Sequence, residues 1–333
     1  MGISRRDGDF LVGMLTIILS FISDQSQHAH LPGQTLNQLP STFETVAAKF
    51  RMDGMLHIKA VCPACHANYD PVDNANTYPS KCTSRRTPEA TCDAPILDES
   101  GRPLKTFATH SFDDYLAGVF SDGVLEDHVM KSPQRILDPV PSVLNSPHHG
   151  EFLRNLRGHD GNLFYCGPGG EARLTFALCI DFFASEGMNV RGPSSSLGII
   201  ALACLDLPVE IRYKPEYMYL VGIIPGPSEP SLTELNHYIE PIISAMLESW
   251  HHGLRLTRTA RMPEGRTVRC GIAIVVCDLP AARKTAQLAA STSKIFCSVC
   301  DCWDVRDADG KIIPNWRELH GRHDCEVWKA RDV

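Results

Sequence analysis

The stretch Arg173–Phe183, RLTFALCIDFF, decides the fold class, because it is a long apolar run rich in strand-forming residues. Two more apolar runs follow, at Leu197–Leu205 and Met218–Ile224, and turn-forming residues separate all three. Apolar runs bounded by Gly, Ser and Pro are typical of buried strands. The region therefore predicts three consecutive strands.

A helix and a fourth strand follow these three strands. Leu232–Trp250 repeats apolar residues at helical spacing, and Val268–Cys277 is a further apolar run. Ala281–Ala290 then begins a second helix. The order strand, strand, strand, helix, strand, helix predicts a mixed α/β sheet.

The chain divides where its composition changes. Residues 1–56 are predicted to form an N-terminal helical segment, and residues 57–130 a cysteine-bearing segment followed by a helix. Four prolines and the run His148–Gly150 mark 131–150 as the best candidate for a linker, which leaves 151–333 as the α/β domain.

The apolar stretch Phe10–Ile22 could be a targeting signal or a membrane segment. Its thirteen residues are too few to span a bilayer, which needs about 20. We expect a buried helix here, and a signal-like segment or a membrane contact remains an alternative.

The composition is that of a globular protein with reduced cysteines. Apolar residues make up 43% of the 333 residues and charged residues 21%, which excludes a wholly disordered chain and a coiled coil. The 13 cysteines are clustered and odd in number, and their density is below that of a disulfide scaffold. This pattern favours metal-binding thiols in an intracellular protein.

The run Cys62–Cys65 (CPAC) is the strongest local signal for a metal site. A Cys-x2-Cys turn directs two thiolates at one ion, and Cys82 and Cys92 can complete a tetrahedral sulfur shell for Zn2+. The spacing resembles a zinc ribbon, although the gap between the last two cysteines is longer than usual. His66 is an alternative ligand, and four unrelated thiols are the alternative to a metal site.

A second candidate zinc site lies near the C-terminus. Cys297 and Cys300 form another Cys-x2-Cys pair, and His320 and His323 follow further along the chain. The His-x2-His spacing is tighter than in most zinc fingers, so a chance arrangement stays open as the alternative.

Two acids, Asp181 and Asp278, each end an apolar strand run. Carboxylates at neighbouring strand ends can hold two Mg2+ or Mn2+ ions about 4 Å apart for in-line phosphoryl transfer. The alternative is that both are ordinary strand-end residues, since Asp278-Leu279-Pro280 also has the sequence of a helix cap.

Positive charge is concentrated around the second acid. Residues 254–296 carry eight Lys or Arg against two acids, a net charge of +6 in a chain whose total is −7. Such a stretch can follow a phosphate backbone, although most charge runs are only solvated surfaces. The candidate DNA-binding residues are Arg255, Arg258, Arg261, Arg266, Arg269, Arg283 and Lys284.

Longer motifs give the chain a family resemblance. The run Tyr213–Pro230, YKPEYMYLVGIIPGPSEP, resembles the transposase core of the CACTA (En/Spm-like) superfamily in its fungal, basidiomycete-type form. Cys277–Lys284 (CDLPAARK) and Phe296–Cys300 (FCSVC) are similar to that core in the same order, as is Tyr78–Cys82 (YPSKC) upstream. The resemblance covers roughly residues 40–330.

The resemblance implies an RNase H-like core that cuts and joins DNA at transposon ends with a metal-bound acidic triad. It matches Asp181 to the first acid and Asp278 to the second, with Mg2+ or Mn2+ at the acids and Zn2+ at the cysteines. DNA is the implied partner, a homo-oligomer is compatible with it, no membrane is involved, and the implied location is the nucleus.

The resemblance is incomplete at the third acid. That acid is expected beyond the second cysteine pair, where Glu318 and Glu326 are the only glutamates and neither lies in a recognisable motif. We therefore expect a transposase-derived protein that is truncated or inactive. The alternative is a non-catalytic, zinc-containing remnant that binds DNA or protein.

Overall fold

The computed structural model describes residues 9–10, 12–18, 42, 44–46, 56–72, 77–87, 90–184, 196–286, 288, 304–306 and 308–314. The chain divides into two compact units, Met1–Met55 and Leu56–Val333.

In the first unit, the described residues between 9 and 18 are helical. The expectation of a helix within Phe10–Ile22 agrees with this, but the side chains are not buried as expected, since Phe10 is 67% exposed and Ile17 70%. Among the described residues, no helix is long and apolar enough to cross a membrane.

The second unit is built on an eight-stranded mixed sheet with the strand order β2-β1-β5-β8-β7-β6-β10-β9. Two further pairs, β3–β4 and β11–β12, lie outside it. The strands are β1 (Leu56–Val61), β2 (Asn68–Tyr69), β3 (Arg85–Thr87), β4 (Ala90–Thr91), β5 (Thr106–His110), β6 (Ala172–Ala184), β7 (Ser196–Cys204), β8 (Tyr219–Ile224), β9 (Leu254–Leu256), β10 (Arg266–Val275), β11 (Asp304–Arg306) and β12 (Ile312–Pro314).

Short helices connect these strands, and one long helix follows β8. They are α1 (Phe112–Ser121), α2 (Gly123–Val129), α3 (Ser132–Leu137), α4 (Glu151–Asn155), α5 (Val209–Arg212), α6 (Asn236–His251) and α7 (Leu279–Thr285). A 3-10 turn at Pro147–His149 lies between α3 and α4.

Strand β6 is the longest strand and an interior strand of the sheet. It pairs antiparallel with β7 along nine residues and parallel with β10 on its other side. Helix α6 packs against β10, and its Tyr238 and Ile242 join the main core with Phe176 and Ile180 of β6. Because both edges of β6 are paired and both faces are largely covered, its sequence is mostly apolar, with Arg173, Thr175 and Asp181 as its polar residues.

The predicted mixed α/β sheet is confirmed, with two differences in detail. Strand β6 continues for three residues beyond Asp181, which therefore lies within a strand and pairs with Ile199 of β7. The sheet also includes β1 and β5, which come from the cysteine-bearing segment. The pairing of β5 with β8 is a long-range contact that the local sequence pattern does not reveal.

The segment 131–150, predicted as a linker, contains α3 and the 3-10 turn, and strands from both sides of it share one sheet. A buried carboxylate, Asp206, holds this segment in place. Its Oδ1 accepts hydrogen bonds from Ser132 Oγ at 2.5 Å and His148 Nε2 at 2.9 Å. All three side chains are fully buried, so their hydrogen bonds replace those lost to water.

A second buried carboxylate, Glu126 on α2, holds the loop that precedes β10. It accepts hydrogen bonds from Thr259 Oγ1 at 2.7 Å and from the Arg261 backbone N–H at 2.8 Å. The guanidinium of Arg266 lies 3.0 Å from it, and both of these charged side chains are buried. The adjacent Asp127 instead forms an exposed ion pair with Arg261.

We predict that Glu126→Ala lowers the free energy of unfolding by about 3 kcal/mol, because it leaves the buried Arg266 without its counter-charge. The matched control is Asp127→Ala, which breaks an exposed pair and should leave stability nearly unchanged. Urea unfolding of both variants at a common slope measures the difference. Equal effects of the two substitutions would contradict this role for Glu126.

Candidate functional site

Four cysteine side chains meet in one cluster beside β1. Cys62 Sγ lies 3.8 Å from Cys92 Sγ, and Cys65 Sγ lies 3.5 Å from Cys82 Sγ. All four sulfurs are within 4.8 Å of one another. Four sulfurs bound tetrahedrally to zinc at about 2.3 Å would be about 3.8 Å apart, so the observed spacing fits such an ion.

The first two cysteines lie in the turn between β1 and β2. Cys62 donates its backbone N–H to the Ala67 carbonyl at 2.9 Å, and His66 donates its N–H to the Cys62 carbonyl at 3.0 Å. His66 has a φ of 59°, a left-handed conformation that closes the turn. This turn brings the two thiols to the same side.

The other two cysteines flank the β3–β4 hairpin. The Cys82 N–H donates to the Ala94 carbonyl at 2.9 Å, and the Cys92 N–H donates to the Ser84 carbonyl at 2.8 Å. The hairpin therefore brings Cys82 and Cys92 together despite the long gap between them in sequence. That gap, unusual for a zinc ribbon, is the length of the hairpin.

A tyrosine supports the cluster from outside it. Tyr69 Oη lies 3.2 Å from Cys82 Sγ and accepts the backbone N–H of Thr83 at 2.8 Å. Its hydroxyl proton is therefore available to the sulfur, and a hydrogen bond of this kind orients a thiolate ligand.

His66, the alternative ligand, points elsewhere. Its Nδ1 lies 2.7 Å from the hydroxyl of Tyr238 on α6, and the ring is buried. Asn68 Nδ2 also donates to the His237 carbonyl at 2.6 Å. These two contacts join the cysteine turn to α6, so His66 and Asn68 position the cluster and do not belong to its ligand set.

The cysteines differ in how readily they ionise. Burial raises the pKa of the Cys62 and Cys65 thiols. At Cys92 burial acts in the same direction, but hydrogen bonds from the Ala94 N–H and from neighbouring thiols outweigh it and lower the pKa. A bound cation would hold all four as thiolates.

The cluster could hold a metal ion such as zinc. All nine cysteines that the structure describes are free thiols, and none of these four is in a disulfide. Four sulfur donors, three of them buried and Cys92 partly exposed, suit Zn2+ better than they suit Mg2+ or Ca2+, which prefer oxygen.

The second predicted zinc site, Cys297, Cys300, His320 and His323, lies outside the described residues. Its ligands stay a prediction from sequence.

Asp181 lies within β6, and Asp278 follows the end of β10, where it precedes α7. The Val276 N–H donates to the Leu178 carbonyl at 2.8 Å, and the Ile180 N–H donates to Cys277 Sγ at 3.3 Å. Ile180 and Cys277 directly precede Asp181 and Asp278. The parallel pairing of β6 with β10 therefore brings Asp181 near the end of β10, which Asp278 follows.

Both carboxylates are exposed, and their charges act on the same thiol. Burial raises the pKa of Cys277, and the charges of Asp278 and Asp181 raise it further. Asp181 Oδ1 accepts the Phe182 N–H at 2.9 Å. Asp278 Oδ1 accepts the Ala281 N–H at 2.8 Å and so caps α7, which is the structural alternative expected from its sequence.

Within the part of the chain that the structure describes, no third ligand lies beside this pair. Among the described residues, the four cysteines are the one group of three or more His, Cys, Asp or Glu side chains within 4.8 Å of one another. Glu318 and Glu326, the glutamates that follow the second cysteine pair, lie outside the described residues. The acidic pair alone could contribute two carboxylates to a metal site.

Most of the predicted DNA-binding residues have partners within the protein. Arg266 pairs with Glu126, Arg261 with Asp127, Arg269 with Glu171, and Lys284 with Glu229. Arg283 is buried, and exposed Arg255 donates to the Glu264 carbonyl at 2.6 Å, while Arg258 is exposed. The basic residues of this stretch therefore do not form one continuous surface of unpaired positive charge.

No protein-family model matches the chain, and no curated protein matches it.

We predict that Cys65→Ser removes one bound zinc ion and lowers the thermal midpoint, because three sulfur ligands hold zinc less tightly than four. Native mass spectrometry counts the metal, and a thermal scan with and without a chelator measures the stability. The matched control is Cys166→Ser, since Cys166 is an exposed free thiol away from the cluster. A protein that contains no zinc when purified from zinc-supplemented medium would rule out this site.

Proposed function

We propose that this chain is a transposase-derived protein of the CACTA type, whose second unit is an RNase H-like core with a zinc-ribbon-like segment attached. The observation that carries the proposal is the contact between Ile180 and Cys277, the residues that directly precede Asp181 and Asp278. Two carboxylates so placed, with divalent metal ions, would serve DNA strand cleavage and transfer.

The strand order supports the RNase H-like part of the proposal. Strands β8, β7 and β6 are antiparallel neighbours, and β10 adds in parallel to β6 after helix α6. Among these four strands β6 comes first in the sequence, yet it lies between β7 and β10 in the sheet, and it carries Asp181. The second acid follows the strand beside it, as the resemblance to transposases implies.

The cysteine cluster supports the zinc-containing part of the proposal. It lies on strands of the same sheet and contacts α6 through His66 and Asn68. Zinc there would order the segment that contributes β1 and β2 to the sheet edge. Its role in this proposal is structural, and the chemistry belongs to the acids.

A second candidate is a non-catalytic protein that keeps the fold and the zinc and binds DNA or protein. The absence of a third ligand beside the acidic pair, among the described residues, favours this candidate. So does the use of Asp278 as a helix cap, which accounts for that residue without catalysis.

Nicking of supercoiled DNA by the purified chain in Mn2+ or Mg2+ separates the two candidates. For the enzyme we expect Asp181→Ala and Asp278→Ala each to reduce nicking by about 100-fold or more, because metal stabilisation is worth several kcal/mol. Glu210→Ala, which removes an exposed carboxylate on α5, should have no effect. Asp278→Ser, which can still cap α7, shows whether any loss comes from unfolding.

Cleavage that survives both aspartate substitutions would exclude this pair as the catalytic site. Metal-dependent binding of DNA with no cleavage would favour the second candidate.

DNA binding by either candidate should depend on the exposed arginines of 254–296 and not on the paired ones. We predict that Arg258→Ala weakens binding of any DNA sequence and reduces the slope of log K against log salt by about one, as for a lost phosphate contact. The control is Arg157→Ala, because Arg157 is also exposed but lies outside 254–296 and donates to the Gly161 carbonyl. Fluorescence anisotropy at several salt concentrations gives the slope, and an unchanged slope for Arg258→Ala would refute the contact.

A further inference from the structure

Helix α6 carries an exposed stripe that the function proposed above does not use. Ile243 is 37% exposed and Leu247 52%, although most large apolar residues of this helix are buried in the core. Glu240 lies one turn before them and His251 one turn after, and both are exposed. At 100° per residue these four side chains lie within about 80° of one another around the helix.

A groove runs beside this stripe. It has a volume of about 320 Å3 and lies between the C-terminal half of α6 and β10, where it is lined by Ile243, Leu247, Trp250 and Ile272. Gly271 lets the Trp250 ring pack directly against β10, because a Cβ at that position would lie 2.8 Å from the ring. The ring is stacked on Phe164, so this wall of the groove is fixed.

The stripe can pair with the same stripe of a second copy when the two helices are antiparallel. Its order along the helix is acid, apolar, apolar, imidazole, with the two apolar residues on either side of position 245. In an antiparallel pair of identical helices related by a twofold axis at that position, each Ile243 faces the partner's Leu247. Each Glu240 then faces the partner's His251, whose ring N–H can donate to the carboxylate.

We propose that the chain forms a twofold homodimer through α6, with the Ile243–Leu247 stripe of one copy seated in the groove of the other. The complementarity of Glu240 and His251 selects a second copy over another partner, because the same helix supplies both members of each pair. The contact excludes water from two exposed apolar side chains per copy and gives them a groove of matching character. It is independent of catalysis and of metal binding.

Sedimentation equilibrium of the purified full chain tests the proposal. The monomer mass is 36.8 kDa, and we expect twice this mass, with dissociation on dilution. Leu247→Lys should raise the dissociation constant by about 100-fold, since it places a charge at the centre of the contact. Because Leu247 is exposed, circular dichroism of this variant should be unchanged. Glu248→Lys, an exposed charge change about 100° away around the helix, is the matched control and should leave the dimer intact.

A charge exchange identifies the antiparallel geometry. Glu240→Lys should weaken the dimer about 10-fold, and the double variant Glu240→Lys with His251→Glu should restore most of the loss, because it re-forms the pair in reverse. A protein that stays monomeric at every concentration overturns the proposal. So does a dimer that Leu247→Lys does not weaken, or one in which the double variant is weaker than Glu240→Lys alone.

Discussion

The pairing of β6 on both of its edges is the constraint on which the rest of the second unit depends. Nine residues of β6 pair with β7, and seven pair with β10 in the parallel direction. A parallel neighbour requires a crossover, which here includes α6, and the apolar face of α6 must then cover the sheet. The same pairing brings the two aspartates toward each other where β10 ends, because the residues that precede them are in contact.

The cysteine cluster and the α/β core form one structure. Strand β1 continues from the sheet into the Cys62 turn, and His66 bonds to Tyr238, which also packs edge-on against Phe107. An ion in the cluster would therefore stabilise the end of the sheet as well as its own loops. Elsewhere, buried carboxylates also join distant parts of the chain, since Asp206 binds the 131–150 segment and Glu126 binds the loop before β10.

Local patterns predicted those features that depend on neighbours in sequence. Apolar runs located β6, β7, β8 and β10 and the helices that follow, because a strand or helix buried in a core must be apolar along its length or one face. The Cys62–Cys65 spacing located the first pair of the metal cluster, because a tight turn alone brings those two thiols together, and a four-sulfur shell then pointed to Cys82 and Cys92. The distant pairing of β5 with β8 left no comparable signal.

The sequence by itself predicted the class of fold and the four cysteines that form the cluster, since composition, spacing and periodicity are local properties. It also singled out the two aspartates as candidate metal ligands. Only the tertiary structure decided what each charge is used for. Arg266 reads as a free cation in a basic stretch, but it is buried against Glu126, and His66 reads as a ligand, but it bonds to Tyr238. The physical reason is that partners of buried polar groups come from distant parts of the chain, and folding selects them by desolvation and geometry.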